Sequence, residues 1–240
     1  MPKTKYYSNT RMSNFRRCTW RYYQIYGLEQ PVFEEEKRGL AIGSAGHAAL
    51  RAWYEGKGLK TALDWAYEEF SPADEADLED FEALTATLRF YFERVRDNWK
   101  IQEVEVKLVD GSLKGIIDLI VQDSTGKTLI VDHKFQRSKQ VSHLPTDTQV
   151  SLYLLLAKRL GKPVDGMLYN IIPTGEEPTY PIRRMCTRSP AFLRNFEEEV
   201  NLQIKLMQEF DSNPRPIRNF TRDCVWDCTI YHECLRRMNV

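Results

Sequence analysis

Two apolar runs decide the fold of this chain: Gly115-Ile116-Ile117-Asp118-Leu119-Ile120-Val121 and Ile130-Val131-Asp132-His133-Lys134. Each has the length of a buried strand, and the turn residues Asp123-Ser124-Thr125-Gly126 lie between them, which predicts an antiparallel hairpin. A charge inside a strand is costly unless it is paired or bound to a metal. Because residues i and i+2 of a strand share a face, Asp132 and Lys134 are expected to project together. If the hairpin places Asp118 beside Asp132, two carboxylates and one ammonium share a pocket. The alternative is a structural salt bridge within the sheet.

The chain around this hairpin predicts helices on both sides of a short meander. Ser13 to Tyr26 has the pattern of a helix that Ser13 caps and Gly27 ends, and Ser71-Pro72 is expected to break a later helical stretch. The predicted helices cover residues 13–26, 43–55, 60–99, 146–160 and 189–210, and the predicted strands cover residues 104–108, 113–121, 128–135 and 166–172. This order predicts an α/β fold, with a mixed central sheet flanked by helices, in a single domain over residues 1–240.

Composition excludes some classes of protein. The 240 residues have no net charge, and no apolar run approaches the roughly 18 residues that cross a bilayer, so no membrane partner is expected. The N-terminus lacks the apolar segment of a secretory signal, which predicts a cytoplasmic protein. Residues 1–23 nevertheless carry six basic residues and no acidic one, interleaved with aromatic residues. This pattern suits DNA, with Arg16 and Arg17 as phosphate contacts, or else a solvated basic helix with a buried aromatic face.

The hairpin and its neighbours resemble a known nuclease family. Gly115-x-x-Asp118, followed after the turn by Asp132-x-Lys134, resembles the core motif of PD-(D/E)XK nucleases. Three further features resemble the RecB-like branch of that family. They are Gly43-x-x-x-His47 upstream, Glu105 or its neighbour Glu103 on the first strand, and Gln149-x-x-x-Tyr153 after the lysine. Taken singly, these flanking residues are also compatible with ordinary core or surface positions.

The resemblance implies a restriction-endonuclease-like core with a helical insertion at about residues 48–100. It also implies a site for Mg²⁺ or Mn²⁺, which prefer oxygen ligands. The implied metal ligands are His47, Asp118, Asp132 and the main-chain carbonyl of His133. The resemblance further implies that Glu105 holds a water or a second metal and that Lys134 assists the attacking water. Gln149 and Tyr153 are implied to contact and position the DNA.

The five cysteines are Cys18, Cys186, Cys224, Cys228 and Cys234. An odd number in a chain expected in the cytoplasm argues against a disulfide framework and favours metal ligation. Four thiolates suit a 4Fe–4S cluster or structural zinc, and free buried thiols are the third alternative.

The distribution of cysteines is similar to that of iron–sulfur RecB-like nucleases, which include CRISPR-adaptation nucleases and phage recombination exonucleases. This similarity implies that Cys18 together with Cys224, Cys228 and Cys234 holds a 4Fe–4S cluster that joins the two ends of the chain. Many of those proteins have Cys-x-x-Cys in the tail, whereas three residues separate Cys224 from Cys228, so zinc stays open. Cys186 is outside the pattern and is predicted to be structural.

The predicted function is therefore a Mg²⁺- or Mn²⁺-dependent deoxyribonuclease, in particular an exonuclease in recombination, repair or CRISPR adaptation. Its expected partners are DNA and a recombination or CRISPR-adaptation protein. Two alternatives stay open: a nuclease-fold DNA-binding scaffold without catalysis, and a zinc or redox interaction module. The residues leave open the oligomeric state, the cleavage polarity and the preferred strand.

Overall fold

The computed structural model describes residues 5–29, 38–70, 75–175 and 177–239, with only the backbone at 38 and 75–77. The chain divides into two compact units. A terminal unit comprises Met1–Lys37 with Ala191–Val240, and a central unit comprises Arg38–Pro190. The single domain over 1–240 stays a prediction, and the predicted break at Ser71-Pro72 lies outside the described residues.

The central unit contains one mixed sheet. Its strands, among the residues described, are β1 (Lys100–Asp110), β2 (Leu113–Gln122), β3 (Thr128–Gln136), β4 (Gly166–Pro173) and β5 (Ile182–Cys186), in that order across the sheet. Only β3 and β4 are parallel, and the other neighbours are antiparallel. The helix α6 (Thr148–Arg159) provides the crossover that a parallel pair requires. The mixed α/β sheet predicted from the sequence is confirmed, and β5 was not predicted.

Three further helices pack together beside the sheet. They are α3 (Arg38–Tyr54), α4 (Gly58–Glu69) and α5 (Glu75–Arg94), and they replace the predicted helical stretches 43–55 and 60–99. Fully buried alanines at positions 45, 49, 52, 62 and 66 let α3 and α4 approach closely. The buried leucines of α5 complete this apolar cluster. No helix in the described part of the chain combines the length and apolar character needed to cross a membrane.

The terminal unit contains the helices of both chain ends. They are α1 (Asn9–Arg17), α2 (Thr19–Tyr26), α7 (Pro190–Ser212), α8 (Cys224–Asp227) and α9 (Tyr231–Arg236). The predicted single helix over 13–26 is wrong, because Cys18 has an extended backbone with φ −161° and ψ 109°. Ser8, not Ser13, caps α1, and the sulfur of Cys18 accepts a hydrogen bond from the Arg21 N–H to cap α2. Gly27 ends α2 as predicted.

Candidate active site

The hairpin of β2 and β3 brings the two aspartates together. Leu119 pairs with Val131 and Ile120 with Ile130, and the same register places Asp118 opposite Asp132. The backbone N–H of His133 donates to Oδ2 of Asp118 at 2.7 Å. Both carboxylates line one cleft of about 710 Å³ in the central unit. The predicted hairpin therefore places two carboxylates side by side at the wall of an open cavity.

Asp132 is the buried member of the pair, with 4 % of its side chain exposed. Burial, with a smaller contribution from the negative charge of Asp118, raises the pKa of Asp132 to about 6 despite the opposing charge of Lys134. The Lys134 ammonium lies 2.7 Å from Oδ2 of Asp132. Burial opposes the charged form of Lys134, yet the attraction of Asp132 raises the lysine pKa above its ordinary value. Lys134 is thus a permanent cation, yet its charge does not offset the burial of Asp132.

His47 meets the pair from α3. Its Nδ1 lies 3.2 Å from Oδ1 of Asp118. Burial disfavours the charged forms of both groups, but their mutual attraction raises the pKa of His47 and, with the His133 N–H, lowers that of Asp118 to about 2. The two carboxylates therefore have opposite tendencies: Asp118 stays ionised, whereas Asp132 binds a proton more readily.

The pairing of β1 with β2 distinguishes the two candidate glutamates by their positions along the strand. Between Ile101 and Glu103 the pairing of β1 with β2 slips by one residue. Glu105 then stands opposite Asp118, between the pairs Val104–Leu119 and Val106–Ile117, and it lines the cleft. Glu103 instead forms an ion pair with Lys162. The geometry thus favours Glu105.

Glu105 carries two features that the sequence did not indicate. Its φ of +50° is in the left-handed region, an uncommon conformation for a residue with a side chain. Its Oε2 lies 2.7 Å from Nη1 of Arg51, which is one helical turn beyond His47 on α3. Arg51 also lines the cleft and lies over the ring of Trp65 at 5.3 Å. Arg51 was missed because a lone arginine on a helix has no distinguishing pattern.

Gln149 and Tyr153 lie on one face of α6 and join the lysine. Nζ of Lys134 donates to Oε1 of Gln149 at 3.0 Å, and Nε2 of Gln149 donates to the Tyr153 hydroxyl at 2.8 Å. Gly115 explains part of this arrangement, because a Cβ there would lie 3.0 Å from the Tyr153 ring. The Lys134 ammonium is therefore held by Gln149 as well as by Asp132.

The side chains at this cleft are of the types that bind a divalent cation. Two carboxylates and an imidazole are suitable ligands, and the raised pKa of Asp132 indicates that added positive charge would stabilise its ionised form. Among the residues that the structure describes, however, no group of three or more His, Cys, Asp and Glu side chains is arranged to hold a metal ion. A metal would therefore complete its shell with backbone, water or substrate oxygens.

The four predicted cluster cysteines all belong to the terminal unit and are free thiols. Cys18, Cys228 and Cys234 pack against the apolar cluster of Trp20, Ile25 and Ile230. The predicted four-thiolate cage is not formed, because no three of these cysteines are arranged to hold a metal ion in the described part of the chain. Cys186 is a buried residue of β5 in the central unit.

The two arginines predicted to contact DNA have protein partners in the terminal unit. Nη1 of Arg16 donates to Oε1 of Gln203 at 2.7 Å, and Arg17 forms an ion pair with Asp227. The aromatic residues between the basic ones are largely core, with Trp20 and Tyr22 buried. DNA contact by Arg16 and Arg17 stays a prediction.

Comparisons with known proteins identify the family of this chain and a similar fold. The family model described as the PD-(D/E)XK nuclease superfamily matches residues 6–234. Among curated proteins, no sequence matches. The crystal structure of a "putative exonuclease" from Eubacterium rectale is similar in fold, with a TM-score of 0.54 at 15 % identity, over 92 % of this chain and 87 % of that one. A solved structure named SSO0001 aligns at 17 % identity over 86 % of this chain and 88 % of that one, but its TM-score of 0.34 carries no argument. On the family match, which spans nearly the whole sequence, the chain belongs to the PD-(D/E)XK nuclease superfamily.

Proposed function

We propose that this protein is a Mg²⁺- or Mn²⁺-dependent deoxyribonuclease that hydrolyses the phosphodiester bonds of DNA. The observation that carries the proposal is the convergence of Asp118, Asp132 and Lys134 at the wall of an open cleft. Asp118 already pairs with His47, and Asp132 keeps a raised pKa although it already pairs with Lys134. A buried carboxylate that stays this difficult to ionise is costly in a fold unless it binds a further cation.

Each side chain then has a distinct task. His47, Asp118, Asp132 and the His133 carbonyl would hold the metal, which lowers the pKa of bound water and stabilises charge on a phosphate oxygen. Lys134 would donate a hydrogen bond to the attacking water or to the phosphate, and its position is fixed by Gln149 and Asp132. Glu105 would bind a water or a second cation after it leaves Arg51.

We further propose an exonuclease mode, in which the enzyme acts at DNA ends or on single strands during recombination, repair or CRISPR adaptation. The name of the E. rectale protein of similar fold supports this mode. Gln149 and Tyr153, which also line the cleft, would contact the strand beside the scissile bond.

The deciding experiment is digestion of end-labelled linear DNA and of circular DNA with Mg²⁺ or Mn²⁺. Asp132→Asn and Lys134→Met are expected to lose at least about 100-fold in rate. Matched controls are Asp64→Asn on the exposed side of α4 and Lys127→Met in the β2–β3 turn, which should retain the full rate. Full activity in either site variant would overturn the assignment. Cleavage of circles would contradict the exonuclease mode alone, and DNA binding without cleavage would favour the scaffold alternative.

We also propose that Cys18, Cys224, Cys228 and Cys234 bind a 4Fe–4S cluster as a structural link between the chain ends. Their common unit and their hydrogen bonds support this: Cys18 Sγ accepts from the N–H of Asn219 at 3.5 Å, and Cys224 Sγ from that of Thr221 at 3.4 Å. Cluster binding would gather the sulfurs and couple to folding. Absorbance near 400 nm with bound iron and sulfide is expected after anaerobic purification. Stoichiometric zinc without iron would refute the cluster and favour the zinc alternative.

A further inference from the structure

A row of polar side chains, the last of them half-buried, crosses three adjacent strands behind the candidate active site. His133, Asn170 and Arg183 are register partners on β3, β4 and β5. Nδ2 of Asn170 lies 2.8 Å from Nδ1 of His133, and Nε of Arg183 donates to Oδ1 of Asn170 at 3.0 Å. His133 and Asn170 have no exposed surface. The proposed metal site uses neither Asn170 nor Arg183, so the row requires its own explanation.

The hydrogen bonds of this row fix the protonation of the histidine. Because a guanidinium only donates, the Asn170 atom facing Arg183 must be the carbonyl oxygen. The amide NH₂ therefore faces His133 and donates to Nδ1, so the ring proton is on Nε2.

The far end of the row is anchored by a carboxylate and two tyrosines. Asp97 forms an ion pair with Arg183 and accepts from the hydroxyls of Tyr54 at 2.8 Å and Tyr91 at 3.1 Å. The Tyr54 ring also stacks on the His133 ring, with centroids 5.6 Å apart and planes 19° apart. The His133 ring is therefore held at its edge by Asn170 and over its face by Tyr54.

The anchored ring belongs to His133, the residue whose backbone N–H holds Asp118. Alternation along β3 sends the His133 side chain to the face opposite Asp132 and Lys134. Its contacts agree, since His133 stacks on Tyr54 of α3 whereas Lys134 bonds to Gln149 of α6. The backbone N–H of the same histidine donates to Asp118 at 2.7 Å. A displacement of the packed ring would shift the Cα of His133, and with it the N–H from which Asp118 accepts.

We propose that Asn170, oriented by Arg183, is a positioning residue that acts through the His133 ring and peptide to hold Asp118 for the divalent cation. The inference rests on the proposed function, because it supposes that Asp118 binds a metal. Its contribution is orientation, since Asn170 is a residue of β4 whose side chain contacts His133 and does not line the cleft. A residue of this kind typically contributes 10- to 100-fold in metal affinity.

The test compares the Mn²⁺ affinity of wild type, Asn170→Leu and Asn170→Asp by calorimetry without DNA. Asn170→Leu preserves volume but removes the three hydrogen bonds to His133, Arg183 and Tyr91, so we expect about 10- to 100-fold weaker Mn²⁺ binding. Asn170→Asp can accept from Arg183 and from a His133 ring protonated on Nδ1, so we expect it to restore binding to within a few-fold. Thr87→Val is the matched control, because Thr87 is a buried polar residue of α5 without a hydrogen-bond partner for its hydroxyl among the described residues.

A second readout follows the histidine directly. Long-range ¹⁵N–¹H spectra distinguish the two tautomers of a neutral imidazole, and we expect the proton on Nε2 in wild type and on Nδ1 in Asn170→Asp. A structural role alone would not predict this change together with the recovery of Mn²⁺ binding. Arg183→Gln, which weakens the orientation of Asn170, serves as the second variant if Asn170→Leu does not fold, and we expect it to weaken Mn²⁺ binding at least several-fold.

The outcomes separate this inference from the proposed function. Wild-type Mn²⁺ affinity in Asn170→Leu or in Arg183→Gln, with wild-type cleavage of DNA, would overturn the positioning role and leave the nuclease intact. A wild type that neither binds Mn²⁺ nor cleaves DNA would refute the proposed function. A proton on Nδ1 in wild type would overturn the inference whatever the activity.

Discussion

Gly46 on α3 is a close-packing position from which the geometry of the site can be tested by adding one methyl group. A Cβ at Gly46 would lie 2.4, 2.5 and 2.6 Å from three atoms of the Phe135 ring. Ordinary carbon–carbon contacts are about 3.5–4.0 Å, so the ring or the helix must move by about 1 Å. Phe135 directly follows Lys134, and its ring packs edge-on against His47 at 5.7 Å. The added methyl group therefore displaces two site residues together.

The expected magnitude comes from two opposing effects. Alanine is about 1 kcal/mol better than glycine inside a helix, whereas an overpacked core costs about 1–3 kcal/mol. At a contact of 2.4 Å the cost should prevail, so Gly46→Ala is expected to lower the free energy of unfolding by about 0–2 kcal/mol. Cleavage is expected to fall at least about 10-fold, because a misplacement near 1 Å can cost about 100-fold.

Gly43 is the matched control on the same helix. A Cβ there meets nothing within 4 Å, so Gly43→Ala is expected to raise the free energy of unfolding by up to about 1 kcal/mol. Urea unfolding and digestion of end-labelled DNA would be measured for both variants. If Gly46→Ala proves as stable as Gly43→Ala and fully active, the close packing of Phe135 on α3 does not hold the site.

Three further predictions concern the same cleft. Gly115→Ala would bring a Cβ within 3.0 Å of the Tyr153 ring. We expect the rate of DNA digestion to fall at least several-fold, and the free energy of unfolding in urea to fall by at most about 1–3 kcal/mol. An unchanged rate would contradict the role of the Lys134–Gln149–Tyr153 chain. Mn²⁺ at 100 times its dissociation constant should stabilise the wild type by about 2.7 kcal/mol in thermal unfolding, and a similar gain in Asp132→Asn would exclude this metal site. In the metal-free protein the pKa of Asp118 is lowered to about 2. Its carboxylate therefore stabilises the folded state at pH values above the ordinary pKa of an aspartate, and this stabilisation is lost as the pH falls toward 2. Asp118→Asn should therefore be less stable than wild type at pH 7, and a stability gap that fails to narrow in acid would contradict this electrostatic account.

Much of the central unit was predictable because its cues are local. The hairpin that carries Asp118 and Asp132 follows from two apolar runs around a turn, and the shared face of Asp132 and Lys134 follows from strand alternation. In the same way, the spacing of Gln149 and Tyr153 places both on one helical face. These features depend on neighbours along the chain, which the sequence displays directly.

Other features depended on contacts between distant segments. The strand β5 was missed because Arg183 and Arg184 interrupt its apolar pattern, although Arg183 is compensated by Asp97 and Asn170. The break at Cys18 was missed because the flanking residues are all compatible with a helix. There the chain instead bonds to residues about 200 positions later, such as Ile217, whose carbonyl accepts from the Trp20 N–H.

What the sequence by itself determined is the kind of site: a carboxylate pair with a lysine on a hairpin of a mixed sheet. Only the tertiary structure decided that Glu105 rather than Glu103 lines the cleft, because the pairing register with β2 places Glu105 opposite Asp118, whereas Glu103 stands opposite Ile120 and pairs with Lys162. It also decided that Gly46 rather than Gly43 is closely packed, and that Asn170 and Arg183 lie behind His133. The physical reason is that pairing register and packing distance are set by partner segments elsewhere in the chain, which no local pattern specifies.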